Sequence, residues 1–347
     1  MQSTSSLPDE YQMTNLSIIL VNWNCLAFTE QCIASICAVA PKVDYEVIVV
    51  DNASADAPCQ SLVEKYPWVK LILSAKNIGF GQANNLGVRH SSGKVLFFLN
   101  PDTVVLEDAL RRMLCELSAA PQAGAIGCRL LNPDRTLQTS SVQRFPTVFN
   151  QFLALSWLQR KWPNLPLWGK QALYYNGPRV IHEVDVVSGA AIMVRRNIFE
   201  EVGGFNPEYF MYAEEVELCY AIRRAGWKIM HSSDAKIIHF GGQSTKKREN
   251  GFVDIAMRQS VYRFLCRTRG NFYARIYRFF LLISAILRLI LLACMSPFSI
   301  ILNFPVDRET NAITLRKWLR IAEWSVGVGD GMHRLSIAKV GTSGPAD

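Results

Sequence analysis

Lys94-Val95-Leu96-Phe97-Phe98-Leu99-Asn100-Pro101-Asp102-Thr103 is the stretch that decides the fold. Val95 to Leu99 are apolar without interruption, so they lack the alternation of a half-exposed strand and predict one buried on both faces. The run stops at the turn Asn100-Pro101-Asp102-Thr103, which leaves a carboxylate at the strand's carboxyl end. In open α/β sheets ligands bind in the crevice outside those ends, so Asp102 is a candidate ligand of a metal or a phosphate. A competing reading makes Asp102 the cap of a helix expected over 106–117.

Toward the N-terminus the same pattern repeats. Residues 16–22 (LSIILVN) predict a buried strand and 29–40 a helix stopped by Pro41. A strand over 45–50 ends in Asp51-Asn52-Ala53-Ser54. A helix over 58–65 and a strand over 69–73 lead to Asn77-Ile78-Gly79-Phe80-Gly81-Gln82-Ala83-Asn84-Asn85, which opens a helix to His90. This β-α-β-α-β-α order predicts an α/β fold with a mostly parallel, doubly wound sheet and a nucleotide site. Gly79 and Gly81 match the first two glycines of a dinucleotide fingerprint, but the third is missing and the motif follows the third strand, which argues against nicotinamide. A turn into a helix explains the glycines but not Asn77, Asn84 and Asn85.

Toward the C-terminus, 124–131 predicts a strand and 134–145 a polar, hairpin-like excursion. Between 145 and 183 the aromatics Phe145, Phe149, Phe152, Trp157, Trp162, Trp168, Tyr174 and Tyr175 crowd together. They can stack on sugar rings, face lipid headgroups, or pack a small core of their own. Residues 184–195 (VDVVSGAAIMVR) read as a strand, in which Gly189-Ala190 leaves room for a ligand near the backbone. Glu214, Glu215 and Glu217 open an otherwise apolar helix. Their mutual repulsion raises pKa values, as a general base requires, although acidic residues in a first turn also complement the helix dipole. A short strand over 235–238 then ends at His239, followed by Gly241-Gly242.

Eight collinear stretches carry a resemblance: LSIILVNWN, VIVVDNAS, KNIGFGQANNLG, VLFFLNPDT, VVSGAAIMVRR, GGFNPEYFMYAEEVELC, RRAGWKI and HFGGQS. Over residues 16–245 the chain resembles family 2 glycosyltransferases, in particular the bacterial rhamnosyltransferase-like branch. The resemblance implies a GT-A fold and an inverting enzyme that uses a nucleotide-diphospho sugar with Mg²⁺ or Mn²⁺. By position, Asn22, Asp51 and Asn77 would hold base and ribose, and Asn85, Gly79 and Gly189 would lie along the nucleotide sugar. Asp102 and His239 would bind the metal, and Glu215 would be the catalytic base with Glu214 in support. Two positions depart from the family pattern. Asn100-Pro101-Asp102 replaces Asp-x-Asp and leaves one carboxylate, and Glu214-Glu215 replaces Glu-Asp.

Charge and cysteine bound the rest of the chain. The net charge of +8 divides into −1 over residues 1–245 and +9 over 246–347, so the C-terminal region expects an anionic partner. Within it, the apolar run 279–295 follows Arg263, Arg267, Arg269, Arg275 and Arg278 and carries Arg288 near its centre. Pro297 and Pro305 are expected to break the chain before a helix over 312–324. Arginines flanking an apolar run suit the anionic inner leaflet of a membrane better than nucleic acid, so a helix or hairpin lying in the membrane is expected. The alternative is a buried helix covering the catalytic domain. Nine cysteines without a CxxC pair, including Cys32, Cys37 and Cys219 in apolar runs, read as buried free thiols of a reducing cytoplasm. The N-terminus has neither a basic start nor an apolar run, so no signal peptide is expected. The organisation expected is a polar tail (1–15), a glycosyltransferase domain (16–245) and a membrane-associating region (246–347). Its function would be sugar transfer, with rhamnose the guess from the resemblance, to a lipid-linked saccharide acceptor of cell-envelope polysaccharide at the cytoplasmic face of the inner membrane. The alternative is a catalytically weak sugar-nucleotide-binding scaffold.

Overall fold

The structure, a computed structural model, describes residues 16–39, 44–152, 162, 181–241, 250–301 and 308–327. The expected tail, together with Pro41, Trp157, Trp168, Tyr174, Tyr175, Gly242 and Pro305, lies outside them. The chain divides into two compact units.

The first unit comprises Met1–Phe145, Lys170–Phe210 and Glu214–Ser244. Its N-terminal half runs β1 (Leu16–Asn22), α1 (Leu26–Ala38), β2 (Tyr45–Asp51), α2 (Gln60–Lys65), β3 (Lys70–Leu73), α3 (Phe80–Arg89), β4 (Val95–Leu99), β5 (Thr103–Val105), α4 (Ala109–Ala119) and β6 (Ala123–Leu131). The remainder of its strands and helices are β7 (Val142–Gln143), β8 (Ile181–Val184), β9 (Val186–Val187), β10 (Ala191–Arg195), α6 (Arg196–Glu201), α7 (Glu214–Arg224) and β11 (Lys228–His239). The nine-stranded sheet has the order β3-β2-β1-β4-β10-β6-β11-β5, with β8 on β11. Six strands run one way, and β5, β8 and β10 run against them. Every residue of β1 and β4 is buried, which is why β4 is apolar throughout and β1 is apolar over 18–21, with its buried Ser17 bonded to Glu46 and its Asn22 to Asp51. Each such Val, Leu, Ile or Phe side chain contributes about 1.5–3 kcal/mol by leaving water.

Several elements differ from the expectations. Residues 184–195 are not one strand: β9 pairs with β7, and Ser188-Gly189-Ala190 turns the chain into β10. The short strand expected over 235–238 is the end of a twelve-residue strand, β11, whose irregularity between Ser232 and Lys236 hides the period of its first half. Asp102 caps no helix. Thr103 begins β5, and the residue before α4 is Asp108. All nine cysteines are free, but Cys294 is exposed and so is Cys37, because α1 turns only one stripe, including Cys32, Ile33 and Ile36, inward.

The second unit comprises Pro146–Gly169, Met211–Ala213 and Thr245–Asp347 and is helical where described. It holds α5 (Val148–Phe152), α8 (Asn250–Ile301) and α9 (Arg308–Ser325). Gly270 (φ 85°, ψ 163°) breaks α8 in two, and α8 continues through Pro297, where the loss of one hydrogen bond does not end the helix. Arg278, beyond the break, lies 5.5 Å from the ring of Tyr262, before it, and 4.7 Å from Trp324 of α9. It also donates to the carbonyls of Trp324 and Ser325 at the end of α9, where the helix dipole favours a cation.

One tie in the first unit yields a test. Gly79 has φ 83°, and a Cβ there would sit 2.3 Å from the Phe210 carbonyl oxygen, which accepts the Phe80 N–H at 3.0 Å. Backbone strain at such a site costs about 1–3 kcal/mol. Gly79→Ala is expected to lower the unfolding free energy by at least that amount in urea titrations. An unchanged midpoint would show that the Gly79–Phe210 contact is not needed.

Candidate active site

Polar side chains collect where the central strands end. At the end of β1, Asn22 is fully buried. Its Nδ2 donates to Asp51 Oδ1 (3.0 Å), Ser54 Oγ (2.9 Å) and Cys59 Sγ (3.0 Å), while its Oδ1 accepts from Thr29 Oγ1 (2.8 Å). Asn22 therefore stands behind Asp51 and orients it. Asp51 is half-buried, with the Ser54 hydroxyl on the same carboxylate oxygen. Asn52, which the motif reading passed over, is a second cross-tie. Its Nδ2 donates to Asn77 Oδ1 (3.0 Å) and its Oδ1 accepts the Ile78 N–H (2.9 Å), binding the end of β2 to the loop before α3. Asn77 Oδ1 also accepts the Gly79 N–H at 2.9 Å. Gly79 itself answers to the Phe210 carbonyl described above.

Asn85 is placed differently from the expectation. Its Nδ2 donates to the Phe205 carbonyl (2.6 Å) and its Oδ1 accepts the Phe205 N–H (3.0 Å). Both ends of the carboxamide thus bond the backbone of the Gly203-Gly204-Phe205 turn. The Phe205 ring meets Phe98 of β4 at 4.8 Å and Phe199 at 5.6 Å, anchoring in the core the turn that precedes α7.

At the end of β4, Asp102 is 4% exposed, and its Oδ1 lies 3.4 Å from His239 Nε2 at the end of β11. On the other side of the ring, His239 Nδ1 stands 2.8 Å from Gln138 Oε1. The Gln138 Nε2 donates to the His239 carbonyl (3.2 Å), so Oε1 faces the ring and Nδ1 is the protonated nitrogen of neutral His239. The Nε2 lone pair then points to Asp102 and to Asn100 Nδ2, 3.3 Å away. Gln138 had no sequence signal; it is distant in the chain and is brought in by the hairpin that follows β6.

Glu215 joins this group through β10. The Asn100 N–H donates to the Ala190 carbonyl (2.9 Å), and Gly189, the residue before, lies under Glu215. A Cβ on Gly189 would be 3.1 Å from Glu215 Cβ and 3.6 Å from its carboxyl carbon. The small residue makes room for the glutamate side chain. Two non-glycine residues in left-handed conformation, Tyr212 (φ 71°) and Ala213 (φ 62°), lead into α7, a concentration of strain typical of functional sites.

Burial, more than repulsion, perturbs the glutamates. Glu214 is 4% exposed, one of its carboxylate oxygens has no hydrogen-bond partner, and its pKa is raised well above the usual value by burial and then by Glu215. Glu215 is half-buried; loss of solvent raises its pKa, and the N–H groups at the start of α7 partly oppose the shift. Among the described residues no three His, Cys, Asp or Glu side chains gather as a metal cluster; Asp102 and His239 stand as a pair.

The sequence model of glycosyl transferase family 2 matches residues 17–203. The chain belongs to that family. The N-acetylglucosaminyl-diphospho-decaprenol L-rhamnosyltransferase of Mycobacterium tuberculosis is 27% identical over 74% of this chain and 86% of its own length. Rhamnosyltransferase WbbL of Escherichia coli is 27% identical over 65% of this chain and 83% of its own. Among solved structures, the mannosyltransferase PcManGT of Pyrobaculum calidifontis, in complex with GDP-Man and Mn²⁺, superposes with a TM-score of 0.54 at 16% identity, covering 95% of this chain and 90% of the other. The family member described here accordingly has the GT-A fold and is a glycosyltransferase resembling rhamnosyltransferases of polysaccharide biosynthesis.

Glu214 supplies a pH test. A carboxyl whose pKa is raised on folding favours the folded state fully below its unfolded pKa, and that advantage is lost as pH rises through the folded value. Glu214→Gln is therefore expected to melt higher than the wild type at pH 7–8, with the difference vanishing near pH 4. Equal pH slopes for the two proteins would place an unperturbed carboxyl at 214.

Proposed function

We propose that this glycosyltransferase inverts the sugar it transfers, taking it from a nucleotide-diphospho donor to a lipid-linked saccharide in cell-envelope polysaccharide assembly. Rhamnose is the leading candidate for the sugar. The observation that carries this is the seating of Glu215 on Gly189, one residue from the Ala190 carbonyl that holds the Asn100 N–H. A carboxylate with a raised pKa and an acid–imidazole pair thus share one end of the sheet.

A sugar hydroxyl is a weak nucleophile. Glu215 takes its proton as the oxygen attacks the anomeric carbon from the face opposite the leaving diphosphate, a contribution of roughly 10² to 10⁴ in rate. Asp51, fixed by Asn22 and Ser54, and the Asn52–Asn77 tie shape the donor end. Asp102 Oδ1 and His239 Nε2 would hold Mg²⁺ or Mn²⁺. Their 3.4 Å separation suits two ligands on one cation at about 2.0–2.2 Å each, and Gln138 supplies the outer hydrogen bond that fixes a ligating imidazole. When bound, the cation neutralises the charge gathering on the departing nucleoside diphosphate. Among the described residues, Asp102 and His239 would be its protein ligands.

Glu215→Gln is expected to abolish transfer and to retain donor binding that remains sensitive to EDTA, because the base acts on the acceptor. Calorimetry and turnover together check this. Near wild-type turnover in Glu215→Gln, with Glu217→Gln inactive, would move the role to Glu217.

The second unit supports membrane association at the cytoplasmic face of the inner membrane. Past Gly270, α8 exposes Phe272, Phe279, Ile286, Leu287, Ile290 and Leu291, spaced to share one stripe. Tyr277, Leu281, Ser284 and Ala285 face inward, as does Arg288, which bonds Ser284 and lies 4.3 Å from the Trp318 ring. The central arginine is thus on the inner side, and its insertion cost of about 3 kcal/mol does not burden the apolar stripe. A charged side chain on that stripe would burden it. The pair Leu287→Lys with Leu291→Lys is expected to cut cosedimentation with anionic phosphatidylglycerol vesicles about tenfold or more, and unchanged binding would mean that the stripe meets no lipid.

A further inference from the structure

Away from Asp102 and Glu215, β6, β8 and β11 gather a second polar group. Gly127 of β6 pairs with His231 of β11, which pairs with His182 of β8, so the two imidazoles share a sheet face. Arg129, two residues beyond Gly127, points the same way, while Cys128 and Leu130 turn into the core beneath α4. His231 is 1% exposed, and Arg129 and His182 are half-buried. Among the described residues, Arg129 Nε, His182 Nε2 and both ring nitrogens of His231 are buried with no partner at hydrogen-bonding geometry, as is Ser233 Oγ further along β11. Among the described residues Arg129 has no carboxylate partner, and Lys236, its neighbour in register, is exposed.

Buried polar atoms are normally satisfied, and here the Arg129 guanidinium, with no carboxylate partner among the described residues, stands with two imidazoles that can each donate one N–H in the neutral form, the three groups coming from three strands. A guanidinium beside imidazoles is suited to a phosphate, which accepts several charge-assisted hydrogen bonds at once. We propose that Arg129, His182 and His231 form an anion subsite for a phosphate or diphosphate group, specifically the one joining the acceptor saccharide to its lipid, an assignment that rests on the function proposed above. Burial, and then the neighbouring Arg129, push the His231 pKa down to about 4; the nearby Cys128 carbonyl opposes the shift and His182 adds a lesser push. An anion would supply the counter-charge that Arg129 lacks among the described residues. In register, Arg129 lies opposite Lys236, three residues before His239, so the subsite is roughly 10 Å along the sheet from the metal pair.

The full-length protein can be titrated calorimetrically with inorganic pyrophosphate in EDTA, so that no cation recruits it to Asp102 and His239. Saturable binding is expected, weakened about tenfold by Arg129→Gln, less by Arg129→Lys, and also by His182→Gln on a different strand. With a diphosphate-linked acceptor, Arg129→Gln should raise the acceptor KM about tenfold and leave the donor KM unchanged. With a phosphate-free saccharide, variant and wild type should agree. No pyrophosphate binding by the wild type, or equal binding by the folded variants, overturns the subsite. Binding lost with the acceptor KM unchanged overturns the acceptor assignment and leaves a site for free phosphate. If the chain transfers no sugar at all, the calorimetric arm still decides the anion site, so its failure and that of the proposed function are distinguishable.

Discussion

The active end of the sheet depends on the antiparallel pairing of β10 with β4. A parallel sheet alone would align Asn22, Asp51 and Asp102 along one edge and leave the region around residue 215 without an address. Because β10 runs against β4, with Ala191 opposite Leu99, its first residues rather than its last meet the end of the central strand. The Asn100–Ala190 hydrogen bond continues that ladder by one step, and it is the step that brings Gly189, and Glu215 upon it, beside the Asp102 turn.

Asparagine does much of the positioning around this edge. Asn22, Asn52 and Asn85 each cross-link segments through both carboxamide ends, and Asn77 accepts through its Oδ1 from Asn52 and the Gly79 N–H. A neutral amide can be buried with donors and acceptors both matched, whereas a carboxylate there would carry a charge out of water without a counter-ion. Glu214 and Glu215 are raised mainly by burial, and His239 is fixed in one tautomer by Gln138.

The second unit inverts the usual arrangement of a soluble helix. Arg278 and Arg288 lie inward on the faces of Tyr262, Trp318 and Trp324, where cation–π contact and helix carbonyls receive them, and large apolar side chains from Phe272 to Leu291 face outward. Such a surface is costly in water and favourable in a lipid interface.

The sequence by itself determined the parallel half of the sheet and the ends of its strands, because a strand buried on both faces must be apolar along its buried length, as 18–21 of β1, 47–50 of β2 and 95–99 of β4 are. It also marked Asp51, Asp102, Glu215 and His239 as polar residues at element ends. The tertiary structure alone decided which polar groups meet. The division of 184–195 into β9 and β10, the length of β11, and the reach of Gln138 to His239 and of Asn85 to Phe205 all join residues far apart in the chain, and local periodicity carries no information about such partners. The direction of Arg288 was likewise undecided by the composition of 279–295. A charge at the centre of an apolar run reads as a penalty until the helix's rotation against α9 turns it toward Trp318.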